Sequence, residues 1–101
     1  MAFLEARGLR IVARNYRCRA GEIGLIAQSG PTTVFVEVRA RTSERFGGAA
    51  ASVTPAKRRR LLKTARYYLS QQGVHRACRF DVVLVKGDPP RLEWIADAFG
   101  E

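Results

Sequence analysis

Histidine, methionine and tryptophan occur once each in these 101 residues, cysteine twice, and acidic side chains only nine times. Each scarcity closes off a chemistry. His75 stands in a predicted turn with no Ser, Cys or second His beside it, so it reads as a loop residue rather than a catalytic one. Cys18 and Cys78 lie far apart, each on a predicted strand and without a second pair to form a metal knuckle; free, buried thiols in a reducing compartment are expected. No run of about 18 apolar residues exists for a membrane span, and the start lacks the charged, apolar and cleavage regions of a signal peptide. A soluble, cytoplasmic protein is expected. Internal repeats and low-complexity tracts are absent too. What remains, at 47% hydrophobic content, suits a single domain over residues 1–101 with one core.

The second imbalance is charge. Eighteen Lys and Arg against nine Asp and Glu leave a formal +9, and residues 1–80 hold sixteen of the basic groups but four of the acidic ones. Such a body attracts polyanions and speeds encounter with nucleic acid at low salt. An anionic membrane surface would feel the same field. The basic residues are mostly Arg, however, and a guanidinium fork matches phosphate oxygens bidentately, which favours DNA or RNA as the partner.

Periodicity gives a short α/β chain. Ala2 to Arg7 resembles the last turns of a helix closed by Gly8. Leu9 to Arg19 alternates as a strand with one basic face, Glu22 to Gln28 forms a second strand, and Thr33 to Arg39 a third beyond a Ser29-Gly30-Pro31 loop. Residues 40 to 53, with Gly47-Gly48, predict a mobile loop or weak helical turn. Thr54-Pro55 supplies an N-cap and a first-turn proline for a helix running to about Gln72 and stopping at Gly73. Leu61, Leu62, Ala65, Tyr68 and Leu69 form its packing face, and Arg59, Lys63 and Arg66 a cationic one. Cys78 to Val85 is a further strand, Asp88-Pro89-Pro90 a turn, and Leu92 to Ile95 a last short strand before a loose C-terminus.

Two of the strands carry a carboxylate among apolar residues: Glu22 in Gly21-Glu22-Ile23-Gly24-Leu25-Ile26, and Glu37 in Phe35-Val36-Glu37-Val38-Arg39. A buried carboxylate is costly unless a cation, metal or hydrogen bond compensates it, so the pair marks a candidate metal or phosphate site. Strand geometry sets Glu37 and Arg39 on one face, and Gly24 on the face of Glu22. Plainer roles stand beside these. Glu37 pairs equally well with Arg39 or another Arg, and Glu22 suits an Arg-paired carboxylate at a strand start. Lys57 and Arg58 to Arg60 oppose the dipole of the helix they begin, which hints at phosphate contact or describes a solvated face. Tyr67 and Tyr68 read as core and rim, Asp81 as a structural partner of Arg79, and Trp94 as core.

The order αβββ-α-ββ, with Arg14-Asn15-Tyr16-Arg17-Cys18, Gly21-Glu22-Ile23, Phe35-Val36-Glu37-Val38-Arg39, Phe46-Gly47, Lys57, Tyr68-Leu69, Arg79-Phe80-Asp81-Val82-Val83 and Trp94-Ile95, resembles the YraN family of small bacterial proteins. That family belongs by fold with the restriction-endonuclease-like, PD-(D/E)xK nucleases and Holliday-junction resolvases. The resemblance implies an α/β mixed sheet, and a site in which an Asp on the second strand and Glu-x-Lys on the third hold Mg²⁺ and orient water.

The departures are specific. Gly24 stands where the family carries Asp, Arg39 stands at the Lys position, and the family's upstream helix lies before Met1, which leaves the first helix truncated. Glu37 alone persists, as the candidate metal ligand. Three readings follow. The first is a nucleic-acid-binding protein with a degenerate site and weak or lost catalysis, contacting phosphate through Arg41, Lys57, Arg59, Lys63 and Arg66. The second is a Mg²⁺-dependent endonuclease using Glu22 and Glu37 with Arg39. The third is a homodimeric interaction module, in which surface left bare by the truncated helix pairs two copies.

Overall fold

The computed structural model describes residues 2–41, 53–73 and 77–100. Of the loop expected across residues 40 to 53, residues 42–52 lie outside them, as does the turn holding His75; residues 40 and 41 instead extend the third strand, and Val53 is buried in the core. A single turn of helix, α1 (Ala2–Glu5), is closed by Gly8 at φ 88°, where the Leu9 amide returns to the Leu4 carbonyl. Then follow β1 (Arg10–Cys18), β2 (Gly21–Ser29), β3 (Thr32–Arg41), α2 (Pro55–Gln71), β4 (Ala77–Lys86) and β5 (Arg91–Phe99). The strands form one sheet in chain order. Neighbours are antiparallel except β3 and β4, which run parallel because α2 carries the chain back across one face between them. This mixed five-stranded α/β sheet is compatible with the restriction-endonuclease-like fold.

Alternation along β3 divides the interior. Phe35 faces α2 with Ile23, Ile26, Leu61, Ala65, Phe80, Val82 and Leu84, whereas Val34 and Val36 face Leu4, Leu9, Leu25, Ala27 and Val83 on the α1 side. Thr54 caps α2 by accepting the Lys57 amide at 3.2 Å, and Gly73 at φ 71° follows its end.

Three features differ from the expected elements. The β1–β2 hairpin does not alternate strictly. Tyr16 and Ala13 both pack toward α2, opposite Ile23 and Ile26, while Leu25 between them turns to the other core. The register shifts at Val12, between the Ile11–Ala27 and Ala13–Ile26 pairs, and Asn15 takes φ 51° further on, so β1 presents no single basic face. The last strand does not stop at Ile95 with a loose tail; it continues to Phe99, which is buried and stacked on Phe80 at 5.0 Å. Its extra residues form a bulge in which Asp97, at φ 51°, donates its amide to Asp81 Oδ1 at 2.8 Å. Finally, neither thiol is buried: Cys18 is half-buried and Cys78 exposed.

Candidate functional site

The register of β2 on β3 runs from Ser29 opposite Thr32 to Leu25 opposite Val36 and ends there, although both strands continue. Beyond that point β2 pairs with β1, and β3 with β4. The sheet therefore forks between Gly24 and Glu37, and the first turns of α2 lie across the opening. A pocket of about 390 Å³ occupies the fork, lined by Glu22, Gly24, Glu37, Val38, Lys57 and Arg60. Sequence separation had hidden this meeting of three elements.

Within it Glu37 is the enclosed carboxylate, with a side chain 14% exposed, and the Lys57 ammonium sits 2.9 Å from its Oε1. The burial expected of both carboxylates holds for Glu37 alone. Glu22, with a side chain 48% exposed, is drawn outward to Arg17 Nε at 3.1 Å. Gly24 offers no ligand, but a Cβ built there would meet no atom within 4 Å. Arg39 follows Glu37 by two residues on the same strand, outside the pocket lining.

A divalent cation asks for several convergent oxygens, and Mg²⁺ for near-octahedral geometry. The fork supplies one enclosed carboxylate already neutralised by an ammonium, with Glu22 turned to an arginine. Among the described residues no three of His, Cys, Asp and Glu gather into a metal-binding group. The residues present therefore do not fit Mg²⁺. They fit an oxyanion better, because Lys57 and Arg60 line the same opening.

The other predicted contacts divide. Arg59, Lys63 and Arg66 are exposed along α2, and Arg41 ends β3 beside Lys86 in the parallel register. Lys63 belongs to a second pocket, of about 620 Å³, between the β1–β2 turn and the C-terminal half of α2. Arg59 is not part of the fork's lining; Arg60, not among the expected contacts, lines it beside Lys57. Its signal was present in the sequence: positions 57, 60, 63, 67 and 71 recur at three- and four-residue steps along one line of a helix. Tyr16 belongs to the same region, donating its hydroxyl to Gln71 Oε1 at 2.6 Å. Burial, with Cys18, Tyr67 and Tyr68 adding to it, raises its pKa above the ordinary tyrosine value and keeps that donor protonated.

Asp81 is elsewhere and structural. It is fully buried on the α1 side and accepts hydrogen bonds from Arg79 Nε, Trp94 Nε1 and the Asp97 amide at 3.0, 2.8 and 2.8 Å.

Fold and fork together define a small α/β domain whose cleft sets Lys57 and Arg60 against Glu22 and Glu37, with Glu37 the enclosed carboxylate. The chain matches the model of the uncharacterised protein family UPF0102 over residues 1–85. It is 54% identical over 101 residues to a UPF0102 protein of Nitrosomonas europaea, covering 99% of this chain and 86% of that protein. Identity is also 54% over 105 residues with a UPF0102 protein of Ralstonia nicotianae, covering 99% and 79%, and 52% over 100 residues with one of Aeromonas hydrophila, covering 96% and 75%. The chain belongs to the UPF0102, or YraN, family.

Proposed function

We propose that this protein binds nucleic acid along the α2 side of the forked sheet, where Lys57 and Arg60 line the fork and Arg17, Arg19 and Lys63 line the adjoining pocket, and that the fork holds a backbone phosphate without cutting it. The observation that carries the reading is the Lys57–Glu37 pair. An ammonium lies 2.9 Å from Glu37, the enclosed carboxylate of the fork, where the resembled nucleases would need a metal, and Arg60 shares the pocket. A phosphate oxygen competes with Glu37 for Lys57 and takes Arg60 directly, whereas a metal would have to displace Lys57 and find further oxygens. The +9 charge supplies the long-range attraction.

Fluorescence anisotropy with labelled DNA and RNA at two salt concentrations tests this. Binding with little sequence preference and a steep inverse salt dependence is expected, and it should vanish when Lys57, Arg60 and Lys63 are changed together to Glu. Mg²⁺-dependent cleavage of duplex, junction or single-stranded substrates is not expected. Cleavage that Glu37→Ala abolishes would install Glu22 as a second ligand and make the protein an endonuclease.

A further inference from the structure

We propose that the second pocket holds one unpaired base of a single-stranded nucleic acid, stacked on Tyr67, with its phosphate taken by Arg19 and Lys63. The proposal rests on the nucleic-acid reading above and adds to it the form of the ligand. At about 620 Å³ the pocket lies within the roughly 300–1,000 Å³ range of small-ligand sites, enough for a base with its phosphate. Its walls combine two phenol rings, Tyr16 and Tyr67, with three cations, Arg17, Arg19 and Lys63, and among the described residues no carboxylate lines it. Rings for an aromatic face and cations for an anion are the chemistry of a nucleotide.

The two rings play different parts. Tyr16 is fixed as a wall, edge-on to Tyr68 at 5.2 Å and tethered to Gln71, whereas Tyr67 is 50% exposed and stands outside the hydrophobic clusters that enclose its neighbour Tyr68. An exposed ring beside a pocket is a stacking platform, and every base has a face to offer it. Bases paired inside a duplex do not, so the pocket selects single strands or extruded nucleotides.

Placement joins the two pockets. Lys57 and Arg60 line the fork, Lys63, Tyr67 and Gln71 the second pocket, and Lys57 to Tyr67 spans about 15 Å of one helix line at 1.5 Å per residue. Arg17 lines the second pocket and pairs with Glu22 of the first, at 3.1 Å. A strand whose phosphate lies at the fork thus reaches the base pocket without leaving the helix.

The test is anisotropy of the full chain with a labelled single-stranded oligonucleotide and with a duplex of the same length. Tyr67→Ala should weaken single-strand binding about tenfold while duplex binding is unchanged, and Tyr67→Trp should restore it. Tyr67 lies outside the buried core, and circular dichroism of each variant verifies the fold. Unchanged single-strand binding in Tyr67→Ala, an equal loss on duplex, or failure of Trp to rescue overturns the base pocket while the broader nucleic-acid reading stands. No binding of either probe at low salt overturns both.

Discussion

Asp81 is buried without exposure, yet Arg79, Trp94 and the Asp97 amide all donate to its two oxygens. Removing the acceptor strands three donors, one of them a partly buried guanidinium. Breaking such a pair costs about 3–5 kcal/mol, and because Arg79 keeps some access to water the lower end applies. Asp81→Ala is therefore expected to lower stability by about 3 kcal/mol in urea denaturation, against a total of roughly 5–15 kcal/mol for a domain of this kind. A change below about 1 kcal/mol would remove Asp81 as the anchor of β5.

Gly24 makes the opposite case, since its backbone is ordinary and a Cβ would meet open space. Gly24→Asp is expected to fold normally and to gain measurable Mn²⁺ binding by calorimetry, with a further gain when Lys57→Ala removes the competing ammonium. Parent-like metal binding in both variants would show that the fork is not arranged for cations at all. At this scale the sequence was partly readable. An acidic residue inside a strand such as Phe35–Arg39 advertises itself, as Glu37 did. Its partner did not, because Lys57 lies twenty positions away and joins it only through the packing of α2.

Among the elements, α2 lies close over the β1–β2 turn. A Cβ at Gly21 would lie 3.1 Å from Thr64 Oγ1, at a φ of 155° that L-residues rarely adopt. Gly21→Ala is expected to destabilise the protein by roughly 1–3 kcal/mol through crowding and backbone strain, read as a lowered thermal midpoint. An unchanged midpoint would mean that α2 simply rides outward. Among the described residues the existence and order of the helices and strands were legible, as were the caps at Thr54 and Gly73, because capping and most of the alternation are local. The kink at Asn15 and the bulge at Asp97 were not. The bulge at Asp97 rests on a tertiary partner, since the acceptor that holds it is sixteen residues distant. The strand therefore outran its expected end at Ile95, and Phe99 reached the core.

For the molecule as a whole, charge is uneven. Arg17, Arg19, Lys57, Arg60 and Lys63 line the two pockets against Glu22 and Glu37, whereas β4, β5 and the turn between them set Asp81, Asp88, Glu93 and Asp97 against Arg79, Lys86 and Arg91. On the proposed function, this imbalance turns an approaching polyanion toward the pockets before contact.

The parting of β2 from β3 beyond Leu25 and Val36 has a mechanical side. Past that point the two strands belong to separate half-sheets, like the jaws of a spring clip pivoting where Leu25 and Val36 are buried together. The Lys57–Glu37 pair ties α2 to one jaw, and α2 passes so close to the other that a Cβ on Gly21 would lie 3.1 Å from Thr64 Oγ1. Hydrogen exchange should therefore run faster at residues 22–24 and 37–39 than at 25–28 and 33–36, and Glu37→Gln should speed the first group alone. Uniform protection across both groups would mean that the clip is rigid. If it is not, a ligand that draws Lys57 away from Glu37 loosens the grip it enters through, and the cleft sets its own gape to what it holds.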